Sequence, residues 1–356
     1  MDFQNILIFR IGHLGDTVVA LPALWALRRS FPSSRLTLLT NLDKGNPQYV
    51  SPASVLPAKG LVDDFIAYPT NLSIPGRAAA YLQLARDLRR RRFDSVVYLM
   101  PRLRSGKQIA RDRMFFQLCG LFDLRGSEFL LSNRLDLPLP GLSSRIESES
   151  NFLLRLLADI GIVAKTSETD LLITENEVSA AKHLLGVASS GPADAKFIAV
   201  GPGAKWESKM WSEDRYAAVV AELVRKYDCH PIVFGGKEDT EKGQRMIRKW
   251  GRGSNAAGLL SVRESAAILR ECTLYVGNDT GTMHLAAAMG TPCVAIFSAI
   301  DWIGKWDPFG EHNHIFRSTF ECKGCELGKC VNQKQCLELI ETDEVFRACS
   351  DIMDGR

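Results

Sequence analysis

The chain has 356 residues, of which 46% are hydrophobic and 24% are charged, and its formal net charge is +3. This is the composition of a globular protein, and the near-neutral total excludes a protein that binds nucleic acid through bulk charge. No apolar run reaches the ~20 residues that a membrane-spanning helix needs, and the N-terminus lacks the basic start of a secretory signal. We therefore expect a cytoplasmic protein.

The positive charge is unevenly distributed. Residues 1–170 hold 22 Lys and Arg against 16 Asp and Glu, whereas residues 171–356 hold 22 against 25. Most of the excess lies in residues 86–113, which carry ten basic and three acidic side chains. A charge run of this kind is usually a solvated surface.

Short apolar strands alternate with amphipathic helices along the chain, which predicts two consecutive α/β domains. In the first half we predict strands 5–9, 36–39 and 95–100 and helices 17–30, 78–92 and 149–160. In the second half we predict helices 175–185, 213–226, 240–250, 263–271 and 282–289, and strands 197–200, 231–234, 274–276 and 293–297. A closing helix is predicted over 342–353. The domains are expected to be 1–170 and 171–340, followed by the terminal segment 341–356.

A Gly-containing turn with a carboxylate follows the first predicted strand, in Arg10-Ile-Gly-His-Leu-Gly-Asp16. The spacing Gly12-x-x-Gly15 is not the Gly-x-Gly-x-x-Gly of a dinucleotide site, but backbone N–H groups there can approach an anion. Asp16 is either a helix cap or, at the carboxyl edge of the sheet, a general base toward a hydroxyl.

Two motifs of the second half combine glycines with charged side chains. Val200-Gly-Pro-Gly203 is followed by Lys205 and Lys209, and lysine is a point-charge partner for phosphate. Phe234-Gly-Gly-Lys-Glu238 ends the next strand, where Glu238 is either part of a tight turn or an acceptor for ribose hydroxyls.

The most specific motif is Asn278-Asp-Thr-Gly-Thr-Met-His284, which joins a strand to an Ala-rich helix. Backbone N–H groups of Thr280 and Gly281 at such a helix start form a nest for a diphosphate. His284 lies one helical turn further and is either a structural residue or part of the same site.

These motifs, in this order and spacing, resemble glycosyltransferase family 9, the bacterial heptosyltransferases. The resemblance rests on Arg10-x5-Asp16 with Leu21-Pro-Ala-Leu24, on Lys209-x-Trp211, and on Asp279-Thr-Gly-x-x-His284. It implies a GT-B fold, in which two Rossmann-like, doubly wound domains face a central cleft. The first domain would bind the acceptor and the second the nucleotide sugar, and the terminal helix would pack back on the first domain.

The resemblance also implies an inverting, metal-independent transfer of heptose from ADP-heptose to a hydroxyl of a lipopolysaccharide core. Asp16 would be the general base, and Lys209 would stabilise the departing ADP. The donor-binding residues would be Gly15, Gly203, Lys209, Glu238, Asp279, Thr280, Gly281 and His284. The acceptor-binding residues would be His13, Arg102, Arg104 and Lys107. Peripheral association with the cytoplasmic face of the inner membrane is compatible with this assignment, and no cofactor is required.

Four cysteines, Cys322, Cys325, Cys330 and Cys336, crowd into one segment. Their spacing is not that of a zinc ribbon, and in a reducing compartment they are reduced thiols, a zinc or iron site, or disulfides.

Two other functions stay open for the whole chain. A nucleotide-sugar epimerase of the same fold would want two acid or base groups on the sugar, and a heptosyltransferase could act on a protein acceptor. A non-catalytic binding protein and a hydride-transfer enzyme fit the motifs less well.

Overall fold

The computed structural model describes residues 3–43, 45–135, 144–164, 168–186, 196–318, 325 and 327–355. The described residues divide into two compact units. The first comprises those within Met1–Pro140 and Glu147–Leu171, and the second comprises those within Gly141–Ile146 and Leu172–Arg356. Each unit is built around one parallel sheet with helices, so the predicted α/β class is confirmed.

The first unit has a five-stranded sheet. Its strands are β1 (Asn5–Phe9), β2 (Arg35–Leu42), β3 (Asp64–Pro69), β4 (Ser95–Tyr98) and β5 (Leu124–Arg125). Its helices are α1 (Leu14–Val18), α2 (Leu21–Ser30), α3 (Ile74–Arg91), α4 (Gly106–Leu118), α5 (Ser127–Asn133) and α6 (Glu149–Asp159). The strand order is β3-β2-β1-β4-β5, and the central strand β1 buries Ile6 to Phe9.

The second unit has a six-stranded sheet. Its strands are β6 (Phe197–Gly201), β7 (His230–Val233), β8 (Ser254–Asn255), β9 (Leu274–Asn278), β10 (Cys293–Phe297) and β11 (His314–Arg317). Its helices are α7 (Glu175–Leu185), α8 (Glu213–Tyr227), α9 (Thr240–Trp250), α10 (Val262–Leu269), α11 (Gly281–Ala288), α12 (Gln335–Glu338) and α13 (Thr342–Met353). The order β11-β10-β9-β6-β7-β8 is that of a dinucleotide-binding Rossmann sheet.

Both sheets reverse their strand order once, between β1 and β4 in the first unit and between β6 and β9 in the second. In open α/β sheets, ligands bind outside the carboxyl ends of the strands at such a reversal. The motifs around Asp16, Lys209, Glu238 and Asp279 each follow a strand of one of these sheets. The fold therefore offers one candidate binding edge in each unit.

Two sequence-based predictions about helices differ from the structure. The predicted helix 17–30 is two helices, because α2 restarts at Leu21 with Pro22 in its first turn, and proline lacks the N–H that would continue α1. The terminal helix was expected on the first domain. Instead, α13 packs on α8 and buries Val345, Cys349 and Met353 in the core cluster of the second unit.

Candidate active site

The loop between β1 and α1 is fixed by a buried arginine. Arg10 is 2% exposed, and its Nη1 donates to the Leu99 carbonyl at 3.1 Å, just after β4. Its Nη2 donates to the Asp16 carbonyl at 2.8 Å. Burial lowers the pKa of the Arg10 guanidinium, although Asp16 and Glu149 oppose this shift. The arginine thus joins the two loops that flank the strand reversal of the first sheet.

Asp16 is the third residue of α1 rather than its N-cap, which is His13. Its Oδ2 accepts a hydrogen bond from the His13 N–H at 2.9 Å. In the described part of the chain, Oδ1 of the same carboxylate makes no hydrogen bond, and Asp16 is half-buried. Gly12 has φ +142°, and a Cβ there would lie 2.2 Å from the Asp16 Cβ. Glycine is therefore required for the carboxylate to take this position.

A cavity of about 580 Å³ opens at the same edge of the first sheet, and Ile11 and Asn41 line it. Asn41 also accepts from the Gly12 N–H at 3.1 Å, which connects the cavity to the Asp16 loop. The cavity wall holds five aromatic rings in mutual contact: Phe9, Tyr68, Tyr81, Phe115 and Phe116. An aromatic wall of this kind suits an apolar or sugar-ring face of a ligand.

Arginines of the 86–113 segment are arranged around this cavity. Arg104 and Arg111 both line it and share the buried carboxylate of Asp112, with Arg104 Nε at 3.0 Å from Oδ2 and Arg111 Nη2 at 3.0 Å from Oδ1. Tyr98 donates to the same carboxylate at 2.7 Å. Burial alone would lower the pKa of the Arg104 guanidinium, but the Asp112 carboxylate outweighs this effect, so the pKa is raised. The cluster carries a net positive charge beside an aromatic wall.

Three of the four predicted acceptor residues do not line the cavity, and one of these, His13, is the N-cap of α1. Arg102 is buried with its guanidinium 4.5 Å from the centre of the Phe152 ring, and it is not among the residues that line the cavity. Lys107 is exposed near the start of α4. Their role in acceptor binding stays a prediction, and Arg111 is a cavity residue that the sequence analysis did not single out.

In the second unit, the buried side chain of Asn278 connects the loops after β6 and β9. Its Oδ1 accepts from the Trp211 N–H at 3.0 Å and from the Tyr216 hydroxyl at 2.8 Å. Its Nδ2 donates to the carbonyls of Pro202 and Gly203 at 3.0 and 3.3 Å. All four hydrogen bonds are buried, so this amide holds the loops after β6 and β9 together at the point where the strand order reverses.

Lys209 and Asp279 form an ion pair at this edge. The Lys209 Nζ lies 2.5 Å from the Asp279 Oδ2, and the two side chains are 18% and 6% exposed. Asp301, which follows β10, lies close enough for Lys209 to affect its titration. Burial would raise the pKa of Asp301, but Lys305, the Trp302 N–H, Lys209 and the Trp306 indole together lower it. The site thus combines carboxylates with ammonium groups.

Of the remaining predicted donor residues, Gly15 lies in α1 of the first unit, and the others follow strands of the second sheet. Thr280 is the N-cap of α11 and Gly281 its first residue, so the N–H groups of this eight-residue helix begin beside Asp279. His284 is buried in the first turn, edge-on to Trp306 with ring centres 6.0 Å apart. Glu238 is exposed in the turn after β7. A Cβ on Gly203 would lie 2.2 Å from the Asp239 Oδ2, so the loop after β6 requires glycine there.

The cysteine prediction is only partly covered by the structure. Cys322 lies outside the described residues. Cys325 and Cys330 are half-buried, and Cys336 is buried in the core cluster of the second unit. The Cys330 Sγ accepts from the Lys334 N–H at 3.2 Å. Within the described ranges no three His, Cys, Asp or Glu side chains gather as a metal site would require, so the four-thiolate site stays a prediction.

The chain resembles known proteins both in sequence and in structure. The profile of glycosyltransferase family 9 (heptosyltransferase) matches residues 81–336. The chain belongs to this family. Lipopolysaccharide heptosyltransferase 2 of Escherichia coli (strain K12) is 28% identical over 135 residues, which are 36% of this chain and 37% of that protein. The chain thus matches little more than a third of the length of this relative.

Solved structures match over the whole chain. The family 9 glycosyltransferase of Veillonella parvula DSM 2008 has a TM-score of 0.76 at 18% identity, covering 100% of this chain and 98% of that one. An E. coli heptosyltransferase solved with ADP has a TM-score of 0.64 at 14% identity, covering 98% and 100%. These matches establish the GT-B fold, and membership of family 9 establishes that the protein is a glycosyltransferase.

Proposed function

We propose that the protein transfers heptose from ADP-heptose to a hydroxyl of a lipopolysaccharide-type acceptor. The observation that carries this proposal is the Lys209–Asp279 ion pair at the strand reversal of the second sheet, next to the first N–H groups of α11. A cation and a helix N-terminus together suit a diphosphate. The family and the ADP in the E. coli heptosyltransferase structure support the same donor class.

In the proposed reaction, an acceptor hydroxyl oxygen attacks the anomeric carbon while the bond from that carbon to the diphosphate breaks. The hydroxyl proton passes to the carboxylate of Asp16, whose Oδ1 makes no hydrogen bond within the described residues. The electron pair leaves on ADP, and Lys209 with the N–H groups of Thr280 and Gly281 stabilises the added charge. Attack opposite the leaving group inverts the anomeric configuration.

The proposed acceptor site is the aromatic cavity of the first unit. It adjoins the Asp16 loop through Asn41, and Arg104 and Arg111 supply positive charge at its wall. Arginine binds carboxylate and phosphate groups, which lipopolysaccharide acceptors carry. His13, Arg102 and Lys107 remain candidates for further contacts to such an acceptor.

The proposed reaction needs no metal, and the residues assigned to it are acids, bases and N–H donors. Zinc or iron at the cysteine segment would be structural. None of the described helices is long and apolar enough to cross a membrane. Location in the cytoplasm, at the inner face of the membrane that holds the acceptor, is part of the proposal.

A donor panel tests the proposal. The purified protein is incubated with ADP-heptose, ADP-glucose or UDP-N-acetylglucosamine and with either defined core oligosaccharides or a bacterial protein extract, and the products are analysed by mass spectrometry. Heptose added to an oligosaccharide with release of ADP is the expected result. An epimerised nucleotide sugar without transfer would favour the epimerase, and transfer only to a protein hydroxyl would favour the protein acceptor.

A further inference from the structure

The surface formed by α3, α4 and the turn after α4 carries uncompensated positive charge. Among the residues that the structure describes, five cations here have no carboxylate partner: Arg77, Arg86, Arg89, Arg92 and Lys107. Other arginines of the segment are neutralised, such as Arg90 by Asp87 and Arg113 by Glu128. The excess positive charge of this surface therefore lies on solvent-exposed side chains.

The same surface exposes large apolar side chains. They are Ile74, Leu82, Met114, Leu118 and Phe122. Leu82 is 58% exposed and Phe122 is 76% exposed, which is high for side chains of their size. The Tyr81 and Phe115 rings are 5.4 Å apart and Arg89 donates to the Leu118 carbonyl, so α3 and α4 lie side by side. Apolar and basic groups are thus interleaved on one pair of helices.

Interleaved apolar and basic side chains match the interface of an anionic bilayer. Lipid headgroups attract Arg and Lys, while aliphatic and aromatic side chains enter the boundary between headgroups and acyl chains. A second copy of the chain would bring like charges together, which is unfavourable. Nucleic acid would match the charge but not the exposed aliphatic side chains.

We propose that the α3–α4 surface (Leu82, Arg86, Arg89, Arg92 and Phe122, with Met114 and Leu118) binds anionic membrane lipid. The cavity next to Asp16 is lined by Arg77 and Leu84 of α3 and by Met114 and Leu118 of α4, so residues of this surface form part of its wall. A membrane-anchored acceptor would then reach the cavity from the bilayer. The inference deepens the membrane location included in the proposed function, but it does not depend on which sugar is transferred.

Vesicle co-sedimentation tests the inference with the full-length protein. Vesicles of phosphatidylcholine alone are compared with vesicles containing about 30 mol% phosphatidylglycerol, at low and high salt. The wild type is expected to bind the anionic vesicles more tightly, and salt should weaken that binding. Equal binding to both vesicle types would overturn the inference.

Two sets of variants separate the contribution of the basic side chains to vesicle binding from that of the apolar side chains. Arg86→Gln, Arg89→Gln and Arg92→Gln together should weaken binding to anionic vesicles about 100-fold, at roughly fivefold for each basic residue. Leu82→Asn with Phe122→Asn should weaken it without changing its salt dependence. Matched controls on the second unit are Arg248→Gln, Arg270→Gln and Arg347→Gln, and Leu184→Asn with Leu259→Asn, which are also exposed.

Binding that falls equally in the controls would overturn the inference, as would a dimer of the wild type that the Leu82 and Phe122 variants dissociate. Transfer to a soluble, deacylated acceptor distinguishes this inference from the proposed function. The surface variants should keep that activity, because none of their residues lines the cavity or the donor site. A wild type that binds vesicles but transfers no sugar would contradict the proposed function alone.

Discussion

Asn278→Ala is expected to destabilise the second unit strongly, because it removes one buried amide from four hydrogen bonds. The Trp211 N–H and the Tyr216 hydroxyl lose their acceptor, and the carbonyls of Pro202 and Gly203 lose their donor. Each buried group left without a partner costs roughly 1–3 kcal/mol, and relaxation makes such costs less than additive. We therefore expect a loss of about 3–4 kcal/mol in the free energy of unfolding.

Urea unfolding followed by tryptophan fluorescence measures this loss, since Trp211 is itself buried beside the amide. Tyr216→Phe is the matched control. It removes one hydroxyl from the same network and should cost about 1 kcal/mol. In the double variant the two losses should not add, because both remove the same hydrogen bond. A loss below about 0.5 kcal/mol for Asn278→Ala would refute the role of this side chain as the connection between the loops.

Three further predictions concern the two binding edges. Lys209→Met should lower the transfer rate by about 10²–10³ in a steady-state assay, since it removes a donor to the leaving diphosphate, and an unchanged rate would contradict that role. Gly203→Ala places a methyl group 2.2 Å from the Asp239 carboxylate, so the affinity for ADP, measured by titration calorimetry, should fall. An affinity equal to that of the wild type would show that the loop tolerates a side chain. Arg111→Gln should raise the Michaelis constant for an anionic acceptor but not for the donor, whereas Arg113→Gln, which changes an arginine outside the cavity lining, should raise neither.

Much of the fold could be predicted from local sequence patterns. Helix α7 has the bounds predicted for it, because Thr174 and Glu177 form a capping box at its start and Gly186 ends it in the left-handed conformation. Helix α4 was missed although Ser105 and Gln108 form the same kind of box. Strand β11 was missed because it is four residues long and half exposed, without a clear alternation of polar and apolar residues.

The location of the candidate site could be predicted from the sequence, but the buried side chains that hold its loops in place could not. Parallel strands place their carboxyl ends at one edge, so the motifs around Asp16, Lys209 and Asp279 could be assigned to the edges from their position after strands. The roles of Arg10 and Asn278 could not be assigned in the same way. The Leu99 partner of Arg10 lies 89 residues away and the partners of Asn278 lie 62–76 residues away in the sequence, and only the folded chain brings them together.

The central claim is that Asp16 removes the acceptor proton during glycosyl transfer, and the transfer rate of Asp16→Asn tests it most directly. The rate is measured at saturating ADP-heptose and acceptor, with ADP affinity measured in parallel and Asp123→Asn, an exposed aspartate of the same unit, as the control. The account predicts a fall of about 10²–10⁴ in the rate of Asp16→Asn with nearly unchanged ADP affinity. An Asp16→Asn enzyme that transfers heptose at the wild-type rate would contradict it.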